Sequence, residues 1–333
     1  MPGMIRTILV VAAGLAALDS ASAQTPRNRT LTYDVDNKAW VEEAPPTPGT
    51  PEASLHEIRL TLTAKNYRKA FAQTKRLIRE LGEDHPLYPD LLIARAEAQI
   101  GRRRFAKAHL SLQEFLSKFS GMPQTAAALR LEFVIAESYL KGEKRRWMGL
   151  RLLSGKNDAV QILDEISTNY PDSRLAELAI KVTADHMFDS GDHKLAEGEY
   201  ARLLREYPRS RYAEHAMIRS AEAALASYGG VAYDEAQLIE AEERFEDFRR
   251  YSPAAADRKG VGAILDSIRE SRGEKDFSVA AYYDRTRHFS SAIYYYRLVR
   301  RDWPGTIADV KAAERLNLLG APVTRVQTGA AGS

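Results

Sequence analysis

The sequence predicts an all-α protein built from repeated pairs of antiparallel helices, because one spacing of residues recurs before four prolines. Twelve positions before each proline stands an alanine, and eight positions before it stands a leucine, a phenylalanine or a tyrosine. Residues four apart lie on one face of a helix, so the small residue admits a neighbouring helix and the large one fills the remaining space. The residues are Ala159 with Leu163, Ala196 with Tyr200, Ala241 with Phe245, and Ala292 with Tyr296, before Pro171, Pro208, Pro253 and Pro304.

Each of these prolines marks the end of a helix. Pro208 has no backbone N–H and a fixed φ, so it stops one helix, and we expect Ser210 to cap the next. Ser173 and Thr306 stand at the same distance after their prolines. This order of elements is close to the tetratricopeptide pattern, whose period is about 34 residues. It predicts a right-handed superhelix, or α-solenoid, of five or six helix pairs.

The first 51 residues precede the repeats. Residues 1–23 combine a basic start, an apolar run and an Ala-x-Ala site, which is typical of a secretory signal peptide; an uncleaved membrane anchor is the alternative. Residues 24–51 form a leader with an extended segment at 30–41, and prolines near its end exclude a helix. Trp40 either packs on the first repeat or docks on a partner. Export of a chain without cysteine favours a bacterial periplasm.

The repeat domain is predicted over residues 52–319, followed by a disordered tail at 320–333. We expect Thr50 to cap its first helix, with Pro51 at the first helical position. The last helix carries charges on its outward face, as a terminal repeat requires. The predicted helix pairs are 53–64 with 67–81, 88–100 with 105–119, 125–140 with 158–170, 175–189 with 194–207, 212–227 with 235–251, and 277–287 with 290–301, with single helices at 256–272 and 307–319.

An insertion at 141–154 separates the two helices of the third pair and mixes basic residues with a tryptophan. The simpler interpretation is a lengthened connection whose Trp147 packs on a neighbouring repeat. The alternative is that Arg145, Arg146 and Trp147 contact an anionic membrane surface, although this segment is too short to bind stably alone.

The residues give no pattern that predicts catalysis or a cofactor. The chain has no cysteine, and its seven histidines lack metal-binding spacing. Residues 149–157 are not a phosphate loop. Five residues separate the glycines where that motif has four, and Asn157 stands where the motif has a serine or threonine whose hydroxyl binds magnesium. A net charge of +3, from 48 basic and 45 acidic residues, is no electrostatic footprint for nucleic acid. We therefore expect a protein that is not an enzyme, with no catalytic residues, metal or cofactor.

Residues 276–306 resemble the C-terminal repeat of the BamD family, outer-membrane lipoproteins that support the assembly of β-barrel proteins. The resemblance lies in the phrase Ser-Val-Ala-x-Tyr-Tyr at 278–283, a short turn, a helix containing Ala292, and an aromatic-Pro-x-Thr closure at 303–306. It implies a scaffold at the inner face of the outer membrane that binds a β-barrel assembly protein or its substrates. BamD proteins begin with a lipidated cysteine that this chain lacks, so either a partner holds it at the membrane or it is a soluble periplasmic relative.

The resemblance to tetratricopeptide proteins further implies that ligands lie along a concave face formed by the first helix of each pair. Register from the closing prolines places seven residues on that face: Lys181, Asp185, Phe188, Asp189, Phe277, Asp284 and Arg285. Tyr283 and Tyr296 occupy predicted core positions. Tyr282, Tyr294 and Tyr295 are additional, and they form either a protein-binding surface or further packing between helices.

The predicted function is protein binding by an exported periplasmic scaffold in outer-membrane β-barrel assembly. A tetratricopeptide adaptor for envelope or cell-division machinery is the first alternative, and an enzyme or its accessory protein is the second. Membrane association and the identity of the partner distinguish the barrel-assembly scaffold from the adaptor. A bound metal or measurable turnover would support the enzyme or accessory protein.

Overall fold

The computed structural model describes residues 8–9, 31–34, 39–42, 46–147, 150–230 and 235–321 of the 333-residue chain. The chain divides into two compact units, residues 1–128 and residues 129–333, and each is described by itself. Most of the predicted signal peptide and the predicted tail beyond residue 321 lie outside the described residues.

The first unit begins with a small antiparallel sheet in the order β1 (Ile8–Leu9), β2 (Leu31–Asp34) and β3 (Ala39–Glu42). Tyr33 lies opposite Trp40 in the register of β2 and β3. The extended segment expected in the leader is therefore a short hairpin.

Helices α1 to α4 complete the first unit, and α5 crosses its boundary. Their bounds are α1 (Pro51–Thr63), α2 (Tyr67–Leu81), α3 (Tyr88–Gly101), α4 (Phe105–Phe119) and α5 (Thr125–Leu140). The hydroxyl oxygen of Thr50 accepts a hydrogen bond from the amide of Ala53 at 3.2 Å, and Pro51 is the first helical residue. The predicted cap of α1 is thus confirmed. Buried leucine, isoleucine and alanine side chains of α1, α2 and α3 form one core.

In the described part of the second unit, a β-hairpin follows α5 and precedes a series of helices. The hairpin occupies the predicted insertion, where β4 (Lys144–Trp147) pairs antiparallel with β5 (Leu150–Ser154). The helices are α6 (Lys156–Asn169), α7 (Ala176–Asp189), α8 (His193–Glu206), α9 (Ala213–Ala226), α10 (Ala236–Tyr251), α11 (Pro253–Arg258), α12 (Val261–Arg285), α13 (Phe289–Asp302) and α14 (Ile307–Leu318). None of the helices in the described residues is both long and apolar enough to span a bilayer.

The residues that defined the repeat in the sequence form the core of the second unit. The four alanines are fully buried, and the large residue four positions after each is at most 1% exposed. Small residues at these positions allow neighbouring helices to approach closely, and the large residues fill the space beside them. The packing expected from the spacing before the prolines is therefore confirmed.

In the described residues, six helices end in the same tight turn. A residue shortly after the helix has a positive φ, and the following amide donates to the carbonyl five residues earlier, as from Asp192 to Met187 at 2.9 Å. The residues with positive φ are Lys65, Arg103, Gly142, Gly191, Arg287 and Gly320. The turn therefore forms whether or not glycine stands at the left-handed position.

The division of the chain after Pro253 differs from the prediction. Two helices were expected at 256–272 and 277–287, but a short α11 is followed by one continuous α12 of 25 residues. Gly273 lies inside α12, where a Cβ would approach the Cβ of Ala308 in α14 to 3.3 Å. This glycine permits close packing between two helices and does not end a helix.

The prediction that Ser210 caps α9 is also wrong. Helix α9 begins at Ala213, and the Ser210 hydroxyl instead accepts from the amide of Tyr212 at 3.0 Å, inside the preceding turn. Thr306, at the same distance after its proline, does cap its helix by accepting from the amide of Asp309 at 3.1 Å. The hydroxyl residue after the proline therefore has two roles: Thr306 caps a helix, whereas Ser210 forms a hydrogen bond inside the turn before one.

A buried carboxylate links helices that are not consecutive. Glu197 in α8 has a side chain only 7% exposed and accepts from Arg244 in α10 at 2.6 Å and from Lys194 at 3.0 Å. Arg244 also bonds Ser220 in α9 and Glu240 in α10. The charge of Glu197 is thus compensated by a side chain from the following helix pair.

Gly155 offers a test of close packing in the second unit. A Cβ at this buried position would overlap the ring of Tyr139, which is 2% exposed and enclosed by other side chains. We expect Gly155→Ala to lower the free energy of unfolding by about 1–3 kcal/mol, as overpacking does. The measurement is urea denaturation followed by circular dichroism.

Gly198 is the matched control, because it lies on the exposed face of α8 and an added Cβ would meet nothing within 4 Å. Gly198→Ala is expected to raise the free energy of unfolding by about 0.5–1 kcal/mol, since alanine favours a helix interior. Equal effects of the two substitutions would contradict the packing described at Gly155.

Candidate protein-binding surface

Asp185 is the centre of a hydrogen-bond cluster that joins α7, α8 and α9. Its carboxylate accepts from Lys181 at 2.6 Å and from the hydroxyl of Tyr200 at 2.6 Å, and it hydrogen-bonds Nε2 of His215 at 2.8 Å. Burial alone raises the pKa of Asp185, but the bonds from His215, Lys181 and Tyr200 outweigh burial and hold that pKa well below its usual range. Lys181 and Asp185 are therefore engaged within the repeats.

Phe188 and Asp189, at the end of α7, both contact Arg219 of α9. The guanidinium of Arg219 lies 3.6 Å from the centre of the Phe188 ring and donates to Asp189 at 3.2 Å. The edge of His193 packs against the same ring, with 5.0 Å between ring centres. Phe188 is half-buried under these groups, whereas the Asp189 side chain is 72% exposed.

Phe277 and Asp284 of α12 contact the two helices that follow. Arg315 donates to Asp284 from Nε at 2.9 Å and from Nη2 at 2.6 Å, and the Tyr296 hydroxyl donates at 3.1 Å. The carboxylate is 9% exposed. The ring of Phe277 packs on that of Tyr296 with 5.4 Å between centres, and Lys311 lies 5.6 Å above it. Both residues lie inside the last repeat.

The structure therefore brings the seven expected residues together in two groups, one on α7 and one on α12. Most of these side chains bond within the repeats, and Arg285 is the exposed one that has no acidic partner among the described residues. Their role in partner binding stays a prediction.

An exposed group of tyrosines lies beside Arg285. The rings of Tyr283 in α12 and Tyr295 in α13 are parallel and 5.1 Å apart. Tyr282 packs edge-on against Tyr283 and Tyr294 against Tyr295, and these two outer residues are 56% and 59% exposed. Tyr283, expected in the core, is half-buried, while Tyr296 is buried as expected.

Arginines flank these tyrosines on both helices. Arg285 is three residues after Tyr282, and Arg297 is three residues after Tyr294, so each arginine shares a helix face with its tyrosine. Neither arginine pairs with an acid in the part of the chain that is described. We name the group formed by Tyr282, Tyr283, Tyr294, Tyr295, Arg285 and Arg297 the tyrosine–arginine surface. Tyrosine and arginine are among the residues that most often dominate binding at protein interfaces.

Only part of this surface could be recognised from the sequence. The pairs Tyr-Tyr at 282–283 and Tyr-Tyr at 294–295 are visible in the sequence, but the register between α12 and α13 decides that Tyr283 faces Tyr295. Arg297 was not predicted as a site residue, because no spacing rule links it to α12. The signal that could have found it is the recurrence of tyrosine followed by arginine three residues later.

The other expected contact lies at the hairpin. Arg145, Arg146 and Trp147 belong to β4, and their side chains lie outside the described residues. Membrane contact by these three residues stays a prediction. No group of three metal-binding side chains occurs among the residues that the structure describes.

Comparison with known proteins identifies one family. The model of YfiO, described as an outer membrane lipoprotein, matches residues 151–320, slightly more than half of the chain. No curated protein matches the sequence. This match and the succession of helices confirm the predicted fold class, an all-α solenoid of helical repeats.

Solved tetratricopeptide structures are also similar, at low identity. One from Parabacteroides merdae is 13% identical, covers 81% of this chain and 98% of its own, and has a TM-score of 0.38. One from Thermus thermophilus is 16% identical, covers 66% of this chain and 98% of its own, and has a TM-score of 0.30. The C-terminal part of a repeat-containing protein from Cytophaga hutchinsonii is 12% identical, covers 78% and 98%, and has a TM-score of 0.28.

Asp185 provides a test of whether the α7 group stabilises the repeats. We expect Asp185→Asn to lower the free energy of unfolding at pH 7 by about 1.5–3 kcal/mol, the range for hydrogen bonds to a charged group. The folded pKa lies below the unfolded value of about 3.9. The stabilisation is therefore present above that pH and is lost as the pH falls through the folded pKa. Urea denaturation of both proteins between pH 7 and pH 3 measures the difference, which should shrink below about pH 4.

Asp189→Asn is the control, since this carboxylate is 72% exposed and has Arg219 as its ion-pair partner. An exposed pair is worth at most about 1 kcal/mol. If both variants lost the same stability, or if the loss for Asp185→Asn did not change with pH, the cluster would not stabilise the fold through the charge of Asp185.

Proposed function

Because the chain belongs to the YfiO family of outer membrane lipoproteins, we propose that this scaffold of helical repeats works in the assembly of outer-membrane β-barrel proteins. The family and the repeat fold are those of a protein that binds other proteins. We propose that the chain lies in the periplasm, at the inner face of the outer membrane. Its partner there is a barrel-assembly protein, which the chain binds without catalysing a reaction.

The observation that carries this proposal is the tyrosine–arginine surface. It lies in the region that matches the family, and it presents two strongly exposed tyrosines with two arginines that have no acid to pair with in the described residues. A partner that covers the rings and offers acidic groups to the arginines gains both apolar burial and charge-assisted hydrogen bonds. None of the 333 residues is a cysteine that a lipid can modify, and we propose that this partner holds the chain at the membrane.

The experiment is affinity purification of the tagged protein from its own envelope in mild detergent, with identification of the co-purifying chains by mass spectrometry. We expect a large outer-membrane β-barrel protein with periplasmic domains. Recovery of soluble envelope or cell-division proteins without any barrel protein would overturn the assembly role and support an adaptor.

The surface itself is tested with the double variant Tyr282→Ser/Arg285→Glu. Removal of interface hot spots typically costs at least about 2 kcal/mol, or a loss of about thirtyfold in affinity. We therefore expect the barrel protein to be lost from the purified complex, with the circular dichroism spectrum of the scaffold unchanged.

The matched control is Arg68→Glu/Tyr251→Ser, which changes an exposed arginine in α2 and an exposed tyrosine at the end of α10. This variant should recover the partner as the native protein does. Equal recovery with both double variants would exclude the tyrosine–arginine surface as the partner site.

A further inference from the structure

A concave site lies between the start of α9, the end of α10 and the short helix α11. It is an open groove of about 430 Å³. Its lining residues are Arg211, Glu214, His215, Ile218, Phe248, Ala255, Arg258 and Lys259. None of them belongs to the tyrosine–arginine surface, so the two features have no residue in common.

The floor of this groove is apolar. Phe248 is fully buried, and Ile218 and Ala255 are 5% and 4% exposed. These three residues belong to the core shared by α9, α10, α11 and α12. The floor is therefore held by the packing of the repeats, and the exposed edges of Ile218 and Ala255 are the part of it that a ligand can contact.

The rim of the groove is cationic. Arg258 and Lys259 are exposed and have no acidic partner among the described residues. Arg211 contacts only an uncharged group in the bonds described, with its guanidinium over the ring of Tyr212 at 4.8 Å and a bond to the Tyr212 hydroxyl at 2.6 Å. These cations are available to a ligand without the loss of an existing ion pair.

The remaining polar groups of the groove are already engaged. Glu214 accepts from the hydroxyl of Ser252 at 2.9 Å, and His215 hydrogen-bonds Asp185 at 2.8 Å. The single acid on the rim is thus outnumbered by three cations. The charge of the groove favours an anionic ligand, while its floor favours one that also carries an apolar group.

Helix α11 is responsible for this site and is an addition to the repeat. A helix pair needs two helices, and the six residues of α11 stand between the second helix of one pair and the long α12. Ala255 and Arg258 come from α11, and Lys259 follows it directly. An element outside the repeat pattern that supplies cations to an apolar groove is a departure typical of functional sites.

We propose that this groove binds an acidic peptide segment of a partner protein, with an apolar side chain on the floor and carboxylates on either side paired with Arg211, Arg258 and Lys259. A peptide fits both features, because consecutive residues can place an apolar and two acidic side chains within one site. Inorganic phosphate would leave the floor uncovered. This proposal rests on the proposed scaffold function in one respect: the ligand is taken to be a segment of a protein.

The test is the binding of a fluorescein-labelled hexapeptide that contains four glutamates around one central leucine, followed by fluorescence anisotropy with the full chain. Charge reversal in Arg258→Glu/Lys259→Glu should weaken the peptide at least tenfold at 0.15 M salt. The same peptide with glutamine in place of glutamate should also bind at least tenfold more weakly to the native protein. Circular dichroism should show both proteins folded, since the two side chains are exposed.

The matched control is Arg68→Glu/Lys107→Glu, which makes the same change in net charge at exposed sites in the first unit. Its peptide affinity should stay within twofold of the native value. Equal weakening in both variants would show that only net charge matters, and it would overturn the proposal.

Vesicles of anionic phospholipid and free inorganic phosphate test two other ligand sources. Binding of free phosphate that depends on Arg258 and Lys259, without binding of the peptide, would overturn the proposal. Binding of vesicles that depends on Arg258 and Lys259, without binding of the peptide, would replace the peptide by a lipid surface and overturn the proposal. The tyrosine–arginine variant should keep peptide binding, and the groove variant should keep the co-purifying barrel protein. If the native protein did not bind the peptide but still recovered the barrel protein, the groove proposal alone would be rejected.

Discussion

The close approach of neighbouring helices over alanine is the interaction on which the repeats depend. Ala159, Ala196, Ala241 and Ala292 have no exposed surface, and each lies four residues before a large buried side chain. A longer side chain at any of these positions would separate two helices and leave the large residue without its contacts. Because a repeat packs only on its neighbours, no distant element could compensate for such a separation.

The same packing explains why the helices could be predicted from the sequence. Alanine, the large residue and proline are local signals, so the ends of most helices fall within a few residues of the expected positions. The exceptions are decided by contacts that lie far apart in the chain. Gly273 can be recognised as a packing residue only when Ala308 of α14 is known to lie against it, and Ser210 can be assigned to a turn only when the start of α9 is known.

The candidate binding residues were less predictable than the fold. The spacing from the closing prolines predicts the helix and the face on which a residue lies. It does not predict whether the side chain forms its hydrogen bonds within the same protein. Asp185 and Asp284 accept bonds from later helices, so polar residues that look available in the sequence are engaged in the structure. The exposed surfaces arise instead where two helices bring together residues of no fixed spacing, as Tyr283 and Tyr295 do, or where an extra helix such as α11 departs from the repeat.

The buried Glu197 limits how far this array can be treated as a set of independent modules. Its charge is compensated by Arg244 from the next helix pair. A neutral residue in place of Arg244 would leave this buried carboxylate with Lys194 as its remaining cation among the described residues, and breaking a buried pair typically costs about 3–5 kcal/mol. Loss of order in one pair is thereby transmitted to the pair before it, so these repeats are expected to melt together and to resist the deletion or exchange of single units during evolution.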